Sequence, residues 1–244
     1  MTGEGLGRIA RVRAMRDPLA IVRAAVADPI LYKAAALALD ECEPDEAAAT
    51  WLAQAHDRGE ASSWLVASLL GHLRHPAGYA KALELMRAGV TYAPHSLVSI
   101  AGVDAERDLI EAIETSEDGN VRRVAAGALG ALGTESAIAY LVSAPARGRL
   151  RALSVAQALE SAPLDARVLI DALRSPQVEM RRWPPMLIAM RLEAARRAGS
   201  NADVPDDAAL RAALAAAIDE GFDVVWRADA TILRAWLGAD HPSG

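Results

Sequence analysis

Any catalysis or metal binding in this chain would have to be built from few parts. It holds five histidines and one cysteine, Cys42. His72 and His75 stand three apart, which would put both on one helix face, where a metal could be held. Pro76 follows at once and sets His75 at a helix end. No carboxylate falls at the H-E-x-x-H spacing, and His95 is expected in a loop farther on. Ser62, Ser63, Ser96 and Ser99 lack the glycine-flanked elbow that exposes a nucleophile. Cys42 sits in the acidic loop Asp40 to Glu46. A lone cysteine excludes an intramolecular disulfide and a cysteine zinc cluster. There is no glycine-rich phosphate loop. Gly127, Gly130 and Gly133 recur at intervals of three inside a helix and its end, so they serve packing and capping. No catalytic residue, metal or cofactor is expected, and an enzyme is expected less than a binding protein.

The remaining residue types that do chemistry are arginine and tryptophan. Basic charge is nearly all arginine, with Lys33 and Lys81 the only lysines. The tryptophans are Trp51, Trp64, Trp183, Trp226 and Trp236. Most of them are expected to plug gaps between helices. Trp183 is singled out because it follows Arg181-Arg182 and precedes two prolines, and tryptophan and arginine dominate binding hot spots.

These residues need helices to position them. Hydrophobic residues make up 52% of the chain but aromatics only 4%. The core must therefore be filled by small aliphatic side chains, alanine above all, the best helix former. Asp17-Pro18, Asp28-Pro29 and Ser175-Pro176 each put a capping side chain before a proline, the signature of a helix start. Gly133-Thr134 ends one helix and caps the next. In the segment Asn120 to Leu132 one face carries Val121, Val124, Ala125, Ala128, Leu129 and Leu132. A second helix runs from Glu135 to Ser143 and buries Ile138, Leu141 and Val142. Such helices are too short to stand alone.

The unit recurs. Leu70-Gly71, Ala101-Gly102 and Leu132-Gly133 each lie between two amphipathic segments. A period near ~30 residues holding two helices means a helical solenoid, whose hairpins bury their faces only by stacking. The run Asp118-Gly119-Asn120-Val121-Arg122-Arg123-Val124-Ala125-Ala126-Gly127-Ala128-Leu129-Gly130-Ala131-Leu132-Gly133 resembles the signature of HEAT-like repeats, also called phycobilisome-lyase-like repeats. The match is closest over Asp104 to Ser143 and fades before Ala93 and after Ser175. The resemblance implies an all-α, right-handed α-solenoid of about seven antiparallel hairpins. It puts the helix beginning Val121-Arg122 on the inner, concave side and the helix from Glu135 on the outer side. Residues 1–16 then form a basic N-terminal segment or capping helix, 17–198 the solenoid, 199–207 a linker, and 208–244 a C-terminal capping hairpin and tail. Pro184-Pro185 should break or bend the stack, since proline removes a donor and disfavours helix before it.

On that frame Arg122, Arg123, Arg151, Arg181 and Arg182 would form a ladder along the groove, with Trp183 beside it. Either they pair internally with turn acids such as Asp118 or Asp171, or they meet an anionic partner. The expected function is a non-catalytic scaffold that binds a protein or peptide on its concave face. Two alternatives stand beside it. One is a DNA-binding or alkylation-repair-type enzyme on a HEAT-like scaffold. The other is an inhibitor or immunity partner of a basic toxin, for which an acidic solenoid is suited. Nucleic acid is disfavoured by a net charge of −6 and a pI near 5.4, because phosphate-backbone affinity comes from cations. The segment Met1 to Met15 lacks the apolar stretch of a secretory signal. No apolar run reaches the ~20 residues of a membrane span. The expectation is a soluble, cytoplasmic protein.

Overall fold

Several helix starts follow the capping chemistry of the sequence. Asp17 accepts the Leu19 N–H at 3.0 Å with Pro18 in the first turn, and Asp45 accepts Ala48 N–H at 2.6 Å. Thr134 accepts Ala137 N–H at 3.1 Å, and Asp207 accepts Leu210 N–H at 2.8 Å. Each such bond satisfies an amide that the helix itself leaves free. In a computed structural model, residues 3–221 and 223–238 are described. The first two residues of the expected N-terminal segment and the tail 239–244 lie outside the described residues. Among the described residues there is no strand, and the fold is all-α. None of these helices is long and apolar enough to cross a membrane.

The chain divides into two compact units, 1–128 and 129–244. The helices of the first are α1 (Gly3–Arg13), α2 (Pro18–Ala27), α3 (Tyr32–Leu39), α4 (Glu46–Asp57), α5 (Ser63–Leu73), α6 (Tyr79–Arg87), α7 (Ala93–Ala101) and α8 (Glu106–Thr115). The division falls within α9 (Gly119–Leu132). Packing in the first unit is sequential. α2 meets α3 and α4, α3 meets α5, α4 meets α5, α5 meets α6 and α7, and α6 meets α7 and α8. Short 3-10 turns at Pro29–Leu31, Pro76–Gly78 and Gly102–Ala105 lead into α3, α6 and α8.

The second unit contains α10 (Glu135–Ser143), α11 (Ala152–Ala158), α12 (Ala166–Leu173), α13 (Val178–Ala198), α14 (Ala208–Glu220) and α15 (Arg227–Gly238). Here α10 packs on α11, α11 on α13, α12 on α13 and α14, and α13 and α14 on α15. Residues 199–207 contain no helix.

Small side chains let these helices approach closely. Ala25, Ala35, Ala48, Ala67 and Ala82 are fully buried among Leu39, Leu52, Leu69 and Leu70. Gly71 lies against Ser96, whose hydroxyl donates to the Ala67 carbonyl at 2.6 Å and ties α7 to α5. A Cβ at Gly130 would overlap the Ala158 carbonyl, so only glycine allows that approach. Gly133 has another role: at φ 65° it stops α9 and hands the chain to the Thr134 cap.

α13 departs from two expectations. It does not start at Ser175-Pro176. Ser175 Oγ instead accepts the Gln177 N–H at 3.2 Å in a turn, and the helix opens at Val178. Nor do Pro184 and Pro185 break it, since the helix runs 21 residues through both. Each proline forfeits a backbone bond and crowds the preceding turn, a combined cost of about 3 kcal/mol in a helix interior. Both rings are buried with Trp183, Met186, Leu187 and Ile188, and this burial outweighs the lost bonds. The helix ends at Gly199, φ 64°.

Candidate functional site

The expected arginines fall in different surroundings. In the first unit, Arg122 donates to the Ser116 carbonyl at 3.0 Å and is half-buried. Arg123 is exposed and donates to the Asn120 side-chain oxygen at 2.8 Å. In the second unit, Arg151 occupies the N-cap position of α11 with its side chain in solvent. Arg181 pairs with Glu220, while its Nε is buried and makes no hydrogen bond within the protein. Arg182 donates to the Asp223 carbonyl at 2.5 Å and to Glu179 at 2.7 Å. The acids that hold Arg181 and Arg182 are therefore Glu220 and Glu179 rather than Asp118 or Asp171.

Trp183 lies in the core of the second unit with none of its surface exposed. Its indole Nε1–H has no acceptor. A chain this poor in rings uses its largest side chain to fill the space beside Pro184, and Trp183 offers a partner no surface.

Among the described residues His72, His75 and His95 do not converge, and His95 lies within α7 rather than in the expected loop. His72 Nδ1 lies 2.7 Å from Asp40, while His75 Nδ1 accepts the Ala77 N–H at 3.2 Å at the start of a 3-10 turn. The Cys42 thiol contacts the Ala38 carbonyl at 3.2 Å, and burial pushes its pKa up. It is poorly disposed to act as a thiolate.

A cluster the sequence reading did not single out joins α4, α5 and α6. His56, Asp57 and Glu84 have ligand atoms within 4.8 Å of one another. The Lys81 ammonium sits among them, 2.6 Å from Asp57 and 2.5 Å from Glu84, and supplies the positive charge a cation would bring. His56 Nε2 lies 3.0 Å from Ser63 Oγ, which resembles a nucleophile and its base. The relay stops there. His56 Nδ1 is 3.8 Å from Asp57, beyond hydrogen-bond reach, and that carboxylate is committed to Lys81. The group works as a tie across the α4–α5 turn.

A second feature the sequence reading missed is a row of rings. Tyr32 begins α3, Trp64 is the second residue of α5, and Tyr92 is the N-cap of α7. The Tyr32 and Trp64 rings meet edge to face at 5.1 Å, and Trp64 and Tyr92 lie 6.4 Å apart. The Tyr32 hydroxyl bonds to Ser68 Oγ at 2.5 Å and fixes that end of the row. Trp64 remains 41% exposed and Tyr92 51%, so the row faces solvent. The signal was present in the sequence as aromatic residues recurring at the start of alternate helices.

At the other end of α7 lies a cavity of about 550 Å³, lined by Pro76, Tyr79, Ile100, Asp104, Arg107 and Asp108. The Tyr79 hydroxyl donates to Asp108 at 2.5 Å, and burial together with that carboxylate pushes its pKa up. No family model, no curated protein and no solved structure matches this chain.

Proposed function

We propose that this protein is a non-catalytic scaffold that binds a segment of a partner protein on the surface made by α3, α5 and α7. The observation that carries the reading is the solvent-facing row Tyr32–Trp64–Tyr92. A chain with 4% aromatic residues that sets three rings side by side, two of them well exposed, gives up core filling at those positions. Aromatic rings concentrate binding energy at interfaces. The partner segment is apolar where it meets the rings and basic beside them. Its charge follows from the excess of 32 acidic over 26 basic residues, which falls mostly in 1–128, and from Asp104 and Asp108 in the cavity at the far end of α7.

A right-handed, HEAT-like solenoid is the architecture we infer. It is supported by helix ends at Ala27, Asp57, Arg87, Thr115, Ser143 and Leu173, which recur about every 30 residues, and by packing of helices on neighbours one and two places along. In such a stack α3, α5 and α7 form the inner layer, and the row lies at one edge of the concave face. An inhibitor of a basic toxin is one form of this function and has the same charge support. A DNA-repair reading has less, because Arg181 and Arg182 are held by Glu220 and Glu179 and Trp183 is buried.

The test is affinity capture at moderate salt with the intact chain and with a Trp64→Ala/Tyr92→Ala variant. A basic protein retained by the first and lost by the second is expected. Equal capture by both overturns the reading. Filter binding of duplex DNA at about 50 mM salt addresses the alternative, since a phosphate-binding surface holds most tightly there.

A further inference from the structure

The surface carried by α3, α5 and α7 limits which partner segments fit it. Among the described residues the first unit has no strand, so it offers no open sheet edge for an extended backbone to pair with. A docked helix needs a groove of aliphatic side chains that meets its successive turns. Leu65 to Leu70 on α5 are all buried, and Leu37 is the one large aliphatic side chain well exposed on α3, α5 or α7 among the described residues. What this surface offers instead is rings.

Neighbouring rings in the row cross rather than stack. The Tyr32 and Trp64 planes stand 75° apart, and those of Trp64 and Tyr92 stand 49° apart. Crossed planes leave notches between them, whereas a flat sugar face lies best on rings that share a plane. A pyrrolidine ring is compact and fits a notch against an aromatic wall. The row also supplies donors. Among the described residues neither the Trp64 indole N–H nor the Tyr92 hydroxyl has a hydrogen-bond partner, while the Tyr32 hydroxyl is spent on Ser68. A polyproline II helix presents unpaired backbone carbonyls to such donors. It also loses little entropy on docking, because it is extended beforehand.

We propose, resting on the reading of this row as the docking surface, that the partner segment is proline-rich. It docks as a polyproline II helix with prolines against Tyr32, Trp64 and Tyr92, flanked by arginine or lysine. The basic flank answers the acidic excess of the first unit. Asp118 stands beside the turn that leads to Tyr92, 3.7 Å from where a Cβ on Gly89 would lie. It is exposed, and no cation pairs with it among the described residues.

The experiment follows the fluorescence anisotropy of labelled acetyl-Pro-Pro-Pro-Pro-Pro-Pro-Arg-Arg amide as the intact protein is added. Saturable binding is expected, weakened about tenfold or more by Trp64→Ala and by Tyr92→Ala. Tyr92→Ala keeps the fold, because the ring is half exposed and it is the backbone carbonyl that accepts from Ser96. A cooperative thermal transition confirms folding of each variant. Trp64→Phe keeps a ring and loses the indole N–H, so an intermediate weakening is expected. A peptide of the same charge with alanine in place of proline should bind about tenfold more weakly or worse. Excess unlabelled proline peptide should displace a partner captured through the row. If capture needs Trp64 and Tyr92 but the peptide neither binds nor competes, the proline assignment falls and the docking surface stands. If capture ignores both rings, the two fall together. Equal binding by the alanine peptide, indifference to both Trp64→Ala and Tyr92→Ala, or binding of cellohexaose at the row in place of the peptide overturns the proposal.

Discussion

Arg191 on α13 donates its Nε to the Glu160 carbonyl at 2.9 Å and so closes the end of α11. The same guanidinium reaches the carbonyls of Leu159 at 2.9 Å, Asp203 at 2.8 Å and Ala162. It is only 6% exposed, and burial lowers its pKa against the pull of Asp203 and Glu160. One side chain thus satisfies the frayed carbonyls of a short helix and fastens the non-helical stretch 199–207. Arg191→Met keeps the apolar stem but strands those acceptors, and the expected loss is about 3 kcal/mol. Arg196→Met is the control, since Arg196 is exposed and, among the described residues, pairs with Glu193, and about 0.5 kcal/mol or less is expected there. Urea midpoints measure both. Amide exchange in 199–207 should quicken in the first variant alone.

Two glycines in α9 should respond oppositely to the same substitution. Gly130→Ala would drive a methyl into the Ala158 backbone carbonyl, and backbone cannot step aside as a flexible side chain can. Destabilisation of about 2–3 kcal/mol follows from forcing α9 off α11. Nothing lies within 4 Å of a Cβ at Gly127, so Gly127→Ala gains helix propensity and stabilises by up to about 1 kcal/mol. Thermal melts of the two variants, side by side, decide the matter. Equal shifts would show that the close approach is not what requires glycine.

The contrast between these glycines marks how far sequence carries. Helix existence was legible because capping is local: Asp17-Pro18 and Gly133-Thr134 act as their own chemistry directs, and Glu135–Ser143 is bounded as the pattern implies. What depended on tertiary packing was not. Pro184-Pro185 read as a break because the isolated peptide would break, whereas burial of both rings carries α13 through. Trp183 read as a surface anchor because it adjoins Arg181 and Arg182, yet helical geometry turns it about 100° from Arg182 and into the core. The row Tyr32–Trp64–Tyr92 is written only in the alignment of repeat units, and single-residue inspection passes over it.

The Lys81 tie predicts an acid-dependent loss of stability. Its hydrogen bond from Lys81 holds the Asp57 carboxyl below the ordinary carboxylate range. A group whose pKa is depressed on folding favours the folded state above its unfolded pKa, about 3.9 for Asp, and that support is lost as pH falls through the lower folded value. Asp57→Asn should therefore melt earlier than the natural chain at pH 7. The gap between them should close as pH drops below about 4. A gap that persists unchanged in acid would mean the carboxylate charge is not what Lys81 uses. Since Asp57 is exposed, the gap at neutral pH should be small.

Trp64 and Trp183 separate the binding surface from the core. Trp183 is fully buried, and Trp183→Ala opens a cavity that nearby Met186 and Leu187 cannot fill, at a cost of about 3–5 kcal/mol. Trp183→Phe should cost far less, because it keeps most of the ring and removes the indole N–H that lacks an acceptor. Trp64→Ala gives up the ring contacts with Tyr32 and Tyr92 and should cost about 1 kcal/mol. If the aromatic row is the docking surface, Trp64→Ala abolishes partner capture in a protein that still folds. Trp183→Phe folds and captures the partner as the natural chain does. Chemical denaturation and capture measured on the same preparations give both quantities at once. Should Trp64→Ala unfold the protein instead, the ring serves the core and the row is no interface.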